Sequence, residues 1–220
     1  MVIVFDLDDT LYPEMEFVRS AYRTIARRYG RGLLPAMLAA ADPREAFDST
    51  GLPMSDVIGL YRNHNPDIRL PWMSLYVLSC LARTGHTLGL VTDGRSVTQR
   101  HKIEALGLAR FISPDLIMIS EEVGEEKVSG RAFRSIMNRT EGRGAYVYVG
   151  DNPAKDFIAP NRLGWTTVGF RRGGNGENIT QADPADFPEE NRPSVEIENL
   201  GELLRFVDFY EFKNWQSCPK

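Results

Sequence analysis

The chain has little of several things, and each shortage narrows what it can be. Two cysteines, Cys80 and Cys218, stand far apart among 220 residues, one in an apolar helical pattern and one in the tail, which argues against a disulfide scaffold and fits a reduced intracellular protein. The three histidines, His64, His86 and His101, are isolated and match no metal-ligand spacing, so surface or capping roles are expected of them. No apolar stretch approaches the roughly 18 residues that suggest a membrane span. The first residues lack the basic segment of a secretory signal and carry an acid at position 6, so a soluble, cytoplasmic protein with no membrane partner is expected. Basic charge is in deficit: the formal net charge is −4 and no basic patch stands out, which argues against a nucleic acid polymer as partner. Internal repeats and low-complexity segments are absent. What remains, 42% hydrophobic and 25% charged residues, is ordinary globular composition, enough for one sizeable domain or a core with a smaller companion.

The most informative segment is the first. Val2-Ile3-Val4-Phe5 is a short apolar run of the kind that forms a strand buried on both faces, and Asp6-Leu7-Asp8-Asp9-Thr10 follows where that strand leaves the sheet. Strand alternation places Asp6 and Asp8 on the same side, and a turn brings them closer. Two carboxylates about 4 Å apart repel by roughly 4 kcal/mol at an effective dielectric of 20, so the pair calls for a cation or a proton. A metal site or an acid/base pair follows from that; a solvated turn is the plain alternative.

Further strand-like runs lie at 88–92, 116–119, 145–149 and 166–170, with helical patterns at about 73–84, 96–108, 129–139 and 153–163 between them. Alternation of this kind implies an α/β fold, a Rossmann-like parallel sheet with helices on both faces. The interval between the first two strands differs. It is punctuated by Pro35, Pro43, Pro53, Pro66 and Pro71, and its pieces, including Glu14 to Tyr29 and Met54 to His64, have helical composition. It is expected to form a small helical domain over 14–71 inserted into a core of 1–13 and 72–220. Residues 171–195, rich in Gly, Asn, Pro and acids, are expected to be a surface loop before a last helix at about 199–209.

In an open parallel sheet, ligands bind beyond the carboxyl ends of the strands. That rim collects Asp6 and Asp8, then Thr92-Asp93-Gly94, Lys127, and Asp151 with Asp156. Hard oxygen donors without His or Cys suit Mg²⁺ far better than zinc. The Thr92 hydroxyl with the amides of Asp93 and Gly94 can cradle anionic oxygens, and Lys127 can neutralise a phosphoryl group and a carboxylate together. Acids, metal, lysine and hydroxyl are the parts of phosphoryl transfer. The carboxylates of Asp9 and Asp93 are expected to serve turns or solvent. Asp156 is expected in the site, with pairing to Lys155 or Arg162 on a helix surface as its alternative.

These segments, Asp6-Leu7-Asp8-Asp9-Thr10, Val91-Thr92-Asp93-Gly94, Lys127 and Gly150-Asp151 with Asp156, resemble the four ordered motifs of the haloacid dehalogenase superfamily across the whole sheet domain. The resemblance implies Asp6 as a nucleophile forming an aspartyl-phosphate and Asp8 as general acid/base. It implies Thr92 and Lys127 as phosphate ligands, and Mg²⁺ held by Asp6, the Asp8 carbonyl and Asp151, with Asp156 supporting the metal or Lys127. The helical insert is similar to the mobile cap of the superfamily's first subclass, which closes over the substrate and helps choose it. Members often place Pro after the motif-three lysine; here Val128-Ser129 follows, and Ser129 can N-cap the helix instead. Asp8 favours phosphate esters over haloacids, which need no proton donor, and Thr10 resembles phosphatases more than mutases. The run from Val91 to Ser96, with Gln99-Arg100 and Lys102-Ile103-Glu104-Ala105, is similar to members acting on nine-carbon sugar-acid phosphates. Tyr12, Glu14, Arg19, Tyr22 and Arg23 at the start of the insert are candidates for reading the substrate, against a plain role in packing and solvated face. The expected protein is an Mg²⁺-dependent phosphatase, monomeric or homodimeric, acting on a sugar phosphate, sugar-acid phosphate or nucleotide. A phosphomutase and a non-catalytic scaffold are the rivals, and so much unpaired charge weighs against the scaffold.

Overall fold

Six parallel strands form one sheet in the computed structural model, which describes residues 1–142, 144–171 and 182–208. They are β1 (Val2–Phe5), β2 (Thr87–Thr92), β3 (Ile117–Ile119), β4 (Tyr146–Gly150), β5 (Thr166–Phe170) and β6 (Val195–Ile197), in the order β3-β2-β1-β4-β5-β6. β1 is wholly buried and central, pairing Phe5 with Leu90 of β2 on one side and with Val149 of β4 on the other. The chain builds outward from β1 to β3, then returns to lay β4 on the opposite side of β1. That reversal opens a crevice beyond the carboxyl ends of β1 and β4, where open α/β sheets bind ligands.

Between β1 and β2 the insert forms α1 (Glu14–Tyr29), α2 (Leu33–Ala39), α3 (Pro43–Asp48) and α4 (Met54–Asn63). It has an apolar cluster of its own, built on Val18, Tyr22, Ile25, Met37, Ala46, Phe47 and Val57. The chain re-enters the sheet layer through α5 (Trp72–Arg83), and α6 (Ser96–Ala105), α7 (Ser120–Val123), α8 (Arg131–Arg139) and α9 (Ile158–Arg162) follow successive strands. Among the described residues no helix is long and apolar enough to cross a membrane.

The structure departs from the sequence reading in particulars. α6 stops at Ala105 because Gly107, at φ 64°, turns the chain. α9 starts later than expected because the amides of Asp151 and Asn152 are bound by the Asp156 carboxylate. Ser129 is not the N-cap of α8: that position is Gly130 at φ 77°, while the Ser129 hydroxyl accepts from the Arg131 amide at 3.2 Å. β6 lies at the end of the expected loop, as the partner of β5. Residues 172–181 of that loop, residue 209 of the expected last helix and Cys218 lie outside the described residues, and 202–208 are helical. His64 is not at the surface. It ends α4, is buried, and packs its ring 4.8 Å from that of Phe17.

Candidate active site

Asp6 is the first residue past β1, and its amide extends the ladder by donating to the Val149 carbonyl at 2.8 Å. Its carboxylate therefore stands at the crevice between β1 and β4. The next turn is tight: Asp9 has φ 54°, and its Oδ1 accepts from the Glu14 amide at 2.9 Å, joining the first loop to the start of α1. Thr10 donates from its hydroxyl to Asp151 Oδ1 at 3.2 Å, so the loop after β1 is tied to the loop after β4.

Lys127 comes from the far side. A 3₁₀ turn over Lys127–Ser129, entered after α7, delivers its ammonium 2.6 Å from Asp6 Oδ1 and 2.8 Å from Asp156 Oδ1. Asp93 Oδ1 accepts the Lys127 amide at 3.0 Å, which fixes that turn against the end of β2. Asp156 has 0% exposure and four donors: Lys127 Nζ, the Tyr148 hydroxyl at 3.1 Å, and the amides of Asp151 and Asn152 at 3.0 and 2.9 Å. It is an anchor inside the loop rather than a partner for Lys155 or Arg162 at the surface. Only glycine fits beside it: a Cβ on Gly150 would lie 2.5 Å from Asp156 Oδ2.

The Asp8 carboxylate is held separately. Lys102 Nζ reaches both of its oxygens, at 2.7 and 2.9 Å, the Tyr12 hydroxyl donates to Oδ1 at 2.6 Å, and Gln99 Nε2 donates to Oδ2 at 2.9 Å. Thr92, the last residue of β2, accepts from Gln99 at 2.7 Å. Together these segments line a cleft of about 180 Å³ bounded by Asp6, Asp8, Asp9, Glu14, Thr92, Asp93, Lys127, Asp151, Asn152, Lys155 and Asp156. Of the motif residues singled out in the sequence, Gly94 is the one not brought to this cleft; of the candidates at the start of the insert, Glu14 lines it, Tyr12 bonds to Asp8, and Arg19, Tyr22 and Arg23 do not line it. The Gly94 amide donates to Ser120 Oγ at 2.9 Å, and Gly94 lines a neighbouring groove with Arg95 and Glu121.

Electrostatics divide the acids. Burial pushes Asp6 up to about 8, with Asp156 and Asp8 adding to it against the opposing pull of Lys127. Burial and the charges of Asp156, Asp6 and Asp9 push Asp151 up to about 9. At Asp8 burial acts in the same direction, but Lys102, with hydrogen bonds from Lys102, Tyr12 and Gln99, outweighs it and holds the carboxyl below its ordinary value. Burial works against the charge on Lys127, and Asp156 and Asp6 overcome it, keeping the ammonium protonated. Glu14 is pushed up to about 7 by burial and the nearby Asp8.

One carboxylate oxygen from each of Asp6, Asp151 and Asp156 lies within 4.8 Å of the others. The set is all hard oxygen, burial and neighbouring acids raise the carboxyls of Asp6 and Asp151 well above the usual carboxylate range, and a small hard divalent cation is what such a set accommodates. The four donors on Asp156 leave Asp6 and Asp151 as the carboxylates with free coordinating capacity. Mg²⁺ thus fits the residues present.

Two residues of this site escaped the sequence reading in their roles. Gln99 and Lys102 are buried, although both types are ordinarily solvated on a helix. Their spacing of three along α6 puts them on one face, yet nothing local says that this face meets Asp8.

Known proteins resemble the chain in sequence and in fold. The chain is 27% identical to the glyceraldehyde 3-phosphate phosphatase of Methanopyrus kandleri, over 93% of this chain and 96% of that protein. It is 31% identical to a ribulose-1,5-bisphosphate 5-phosphatase of Halopiger xanaduensis over 58% of this chain and 52% of that one. A crystal structure described as a HAD phosphatase from Thermococcus onnurineus shares the fold with a TM-score of 0.59 at 22% identity, covering 94% of this chain and 97% of its own. The family model described as Haloacid dehalogenase-like hydrolase matches residues 3–170, from β1 through β5 and across every segment of the cleft, and the chain belongs to that family.

Proposed function

We propose that the protein is an Mg²⁺-dependent phosphatase that hydrolyses a short sugar phosphate through an aspartyl-phosphate on Asp6. The observation that carries this reading is the pairing within one cleft of two carboxylates in opposite settings: Asp6 against Lys127 and the acidic cluster, and Asp8 among its own donors. Charge from bound Mg²⁺ would favour the carboxylate form of Asp6 against its burial, and an anionic ester beside Asp8 would oppose Lys102 and favour the protonated form of that acid. The similarity to glyceraldehyde 3-phosphate and ribulose bisphosphate phosphatases supports a sugar phosphate. So does a small cleft walled by charged and polar side chains, which offers no apolar platform for a nucleobase.

In this reading the Asp6 carboxylate attacks phosphorus, and the bond to the ester oxygen breaks with its electron pair leaving on that oxygen. Asp8, in its protonated form, gives that oxygen its proton. As a carboxylate it then takes a proton from water, whose oxygen attacks phosphorus; the bond to Asp6 breaks, and phosphate and both acids are regenerated. The Tyr12 hydroxyl, which can swing to its other in-plane orientation about the C–O bond, is the donor that yields its place on Asp8 to the reacting oxygen. Lys127 and the Thr92 hydroxyl, with the Asp93 amide, bind the phosphoryl oxygens. Asp6, Asp151 and the Asp8 carbonyl would hold Mg²⁺, which when bound supplies positive charge to the phosphoryl oxygens. Asp156 holds Lys127 and the β4 loop in place. Residues 14–71 act as the cap, with Glu14 lining the cleft.

Phosphate release from a panel of sugar phosphates, sugar-acid phosphates and nucleotides, with Mg²⁺ and with chelator, tests the reading. Release by the native protein, lost with chelator and in Asp6→Asn with the fold intact, is expected. Activity surviving in Asp6→Asn would remove the nucleophile, and accumulation of a bisphosphate in place of free phosphate would assign a mutase.

A further inference from the structure

The face of α6 that carries Gln99 and Lys102 has no part in the reaction as just described, although both side chains are buried at its centre. Placing an ammonium where it is about 3% exposed is costly unless it is paired, so the position of Lys102 is specific rather than incidental. Its Nζ bridges both oxygens of Asp8, which fixes the plane of that carboxylate as well as its distance. The ammonium also lies 4.4 Å over the Phe17 ring and 3.7 Å from Glu14 Oε1, so the group holding Asp8 is itself seated against the first helix of the insert. Gln99 works one turn earlier. Its amide nitrogen can only donate, so the Thr92 oxygen at 2.7 Å accepts, and the Thr92 hydroxyl proton is left to point away from Gln99. The same nitrogen donates to Asp8 Oδ2, an arrangement that a flipped amide, with its oxygen toward the carboxylate, would forbid. Gly94 makes the room: a Cβ there would sit 3.1 Å from Gln99 Cγ and Cδ.

We infer that Lys102 and Gln99 are positioning residues of the phosphatase, Lys102 fixing the Asp8 carboxyl for proton transfer to the leaving oxygen and Gln99 turning the Thr92 hydroxyl toward the phosphoryl group. This rests on the function proposed above. It predicts a split that a purely structural role does not produce. An alkyl phosphate must leave as an alcohol and needs the proton, whereas 4-nitrophenyl phosphate leaves as a stable anion and scarcely does. kcat/KM reports the steps through cleavage of that bond and so isolates the difference.

The experiment compares kcat/KM for glycerol 3-phosphate and 4-nitrophenyl phosphate in native protein, Lys102→Met, Asp8→Asn and Gln99→Leu, with thermal melting as the folding check. Lys102→Met is expected to lose about a hundredfold on the alkyl ester and about tenfold less than that on the aryl ester, in the same sense as Asp8→Asn. Gln99→Leu is expected to raise KM for both esters and to weaken inhibition by inorganic phosphate, with a smaller change in kcat. Should Lys102→Met not fold, Lys102→Gln, which keeps a donor without the charge, takes its place in the same comparison. Native protein inert toward both esters sinks the phosphatase reading and this inference with it. Active native protein with equal losses on both esters in the lysine variant overturns the positioning role alone.

Discussion

At Asp6 and Asp151, burial and like charge act in one direction, raising the two carboxyls from the ordinary 3.8 to about 8 and about 9. An acid raised by folding binds its proton more tightly in the native state, so its stabilising contribution is complete below about pH 4 and is lost as pH rises through the folded value. A cation seated between the two reverses that dependence, because it competes with those protons for the same oxygens. The metal-free protein is therefore expected to melt at progressively lower temperature from about pH 4 to about pH 9, and Mg²⁺ to raise the melting temperature most at the alkaline end. Melting curves in chelator and in Mg²⁺ across that range check it. An equal Mg²⁺ effect at both ends would remove the proposed competition. Asp8, held low by Lys102 and its other donors, does not join this dependence.

Among the elements, the turn after β4 does most to set the site, because Asp156 serves it from within. Its carboxylate binds two amides of its own loop and Lys127, and it occupies the space a side chain at position 150 would need. Gly150→Ala is expected to destabilise the protein by about 1–3 kcal/mol through overpacking. It is also expected to slow turnover about tenfold or more by shifting Lys127 from Asp6. Gly85→Ala is the control: at φ 83° it is strained, yet nothing lies within 4 Å of the added Cβ, so stability falls and turnover holds. Comparable turnover in the two variants would contradict the role given to Asp156. The segments at this rim were legible in the sequence because they end strands whose apolar runs are unmistakable; β1 and β4 are buried along their full length. β6 was not, since Val195-Glu196-Ile197 is a three-residue edge made a strand only by pairing with β5. Lys102 and Gln99 were legible as part of a resembling run, but their place beside Asp8 was not, for a related reason. Their burial depends on α6 packing against a loop more than ninety positions away from Lys102, as its bond to Asp8 records, and hydrophobic periodicity carries no trace of that. The Gly94 amide, read in the sequence as part of an anion cradle, donates instead to Ser120 on another element, a partner that no local pattern announces.

Across the whole molecule, the sheet domain and the helical insert each bury their own apolar cluster, and the two meet at α1 and α4. Phe17 is the joint. It is buried within the sheet domain's cluster, yet its ring lies 5.3 Å edge-on to Tyr61 and 4.8 Å from His64 of the insert, beneath the Lys102 ammonium. Truncating a ring so placed costs about 3–5 kcal/mol, through lost transfer energy and the cavity left behind. The loss should fall unevenly, because the insert depends on this seam for its attachment whereas the sheet keeps its remaining core. In Phe17→Ala, amides of α1 and α4 are expected to lose hydrogen-exchange protection well before those of β1 and β4, in keeping with a separately opening unit. Phe133→Ala, which removes a buried ring packed between Tyr148 and Trp165 in the sheet domain, is expected to cost a similar amount but to open the sheet strands themselves. If Phe17→Ala weakened α1, α4 and the sheet strands by the same free energy, the insert and the sheet would be one cooperative unit, and a cap that moves on a rigid core would lose its physical basis.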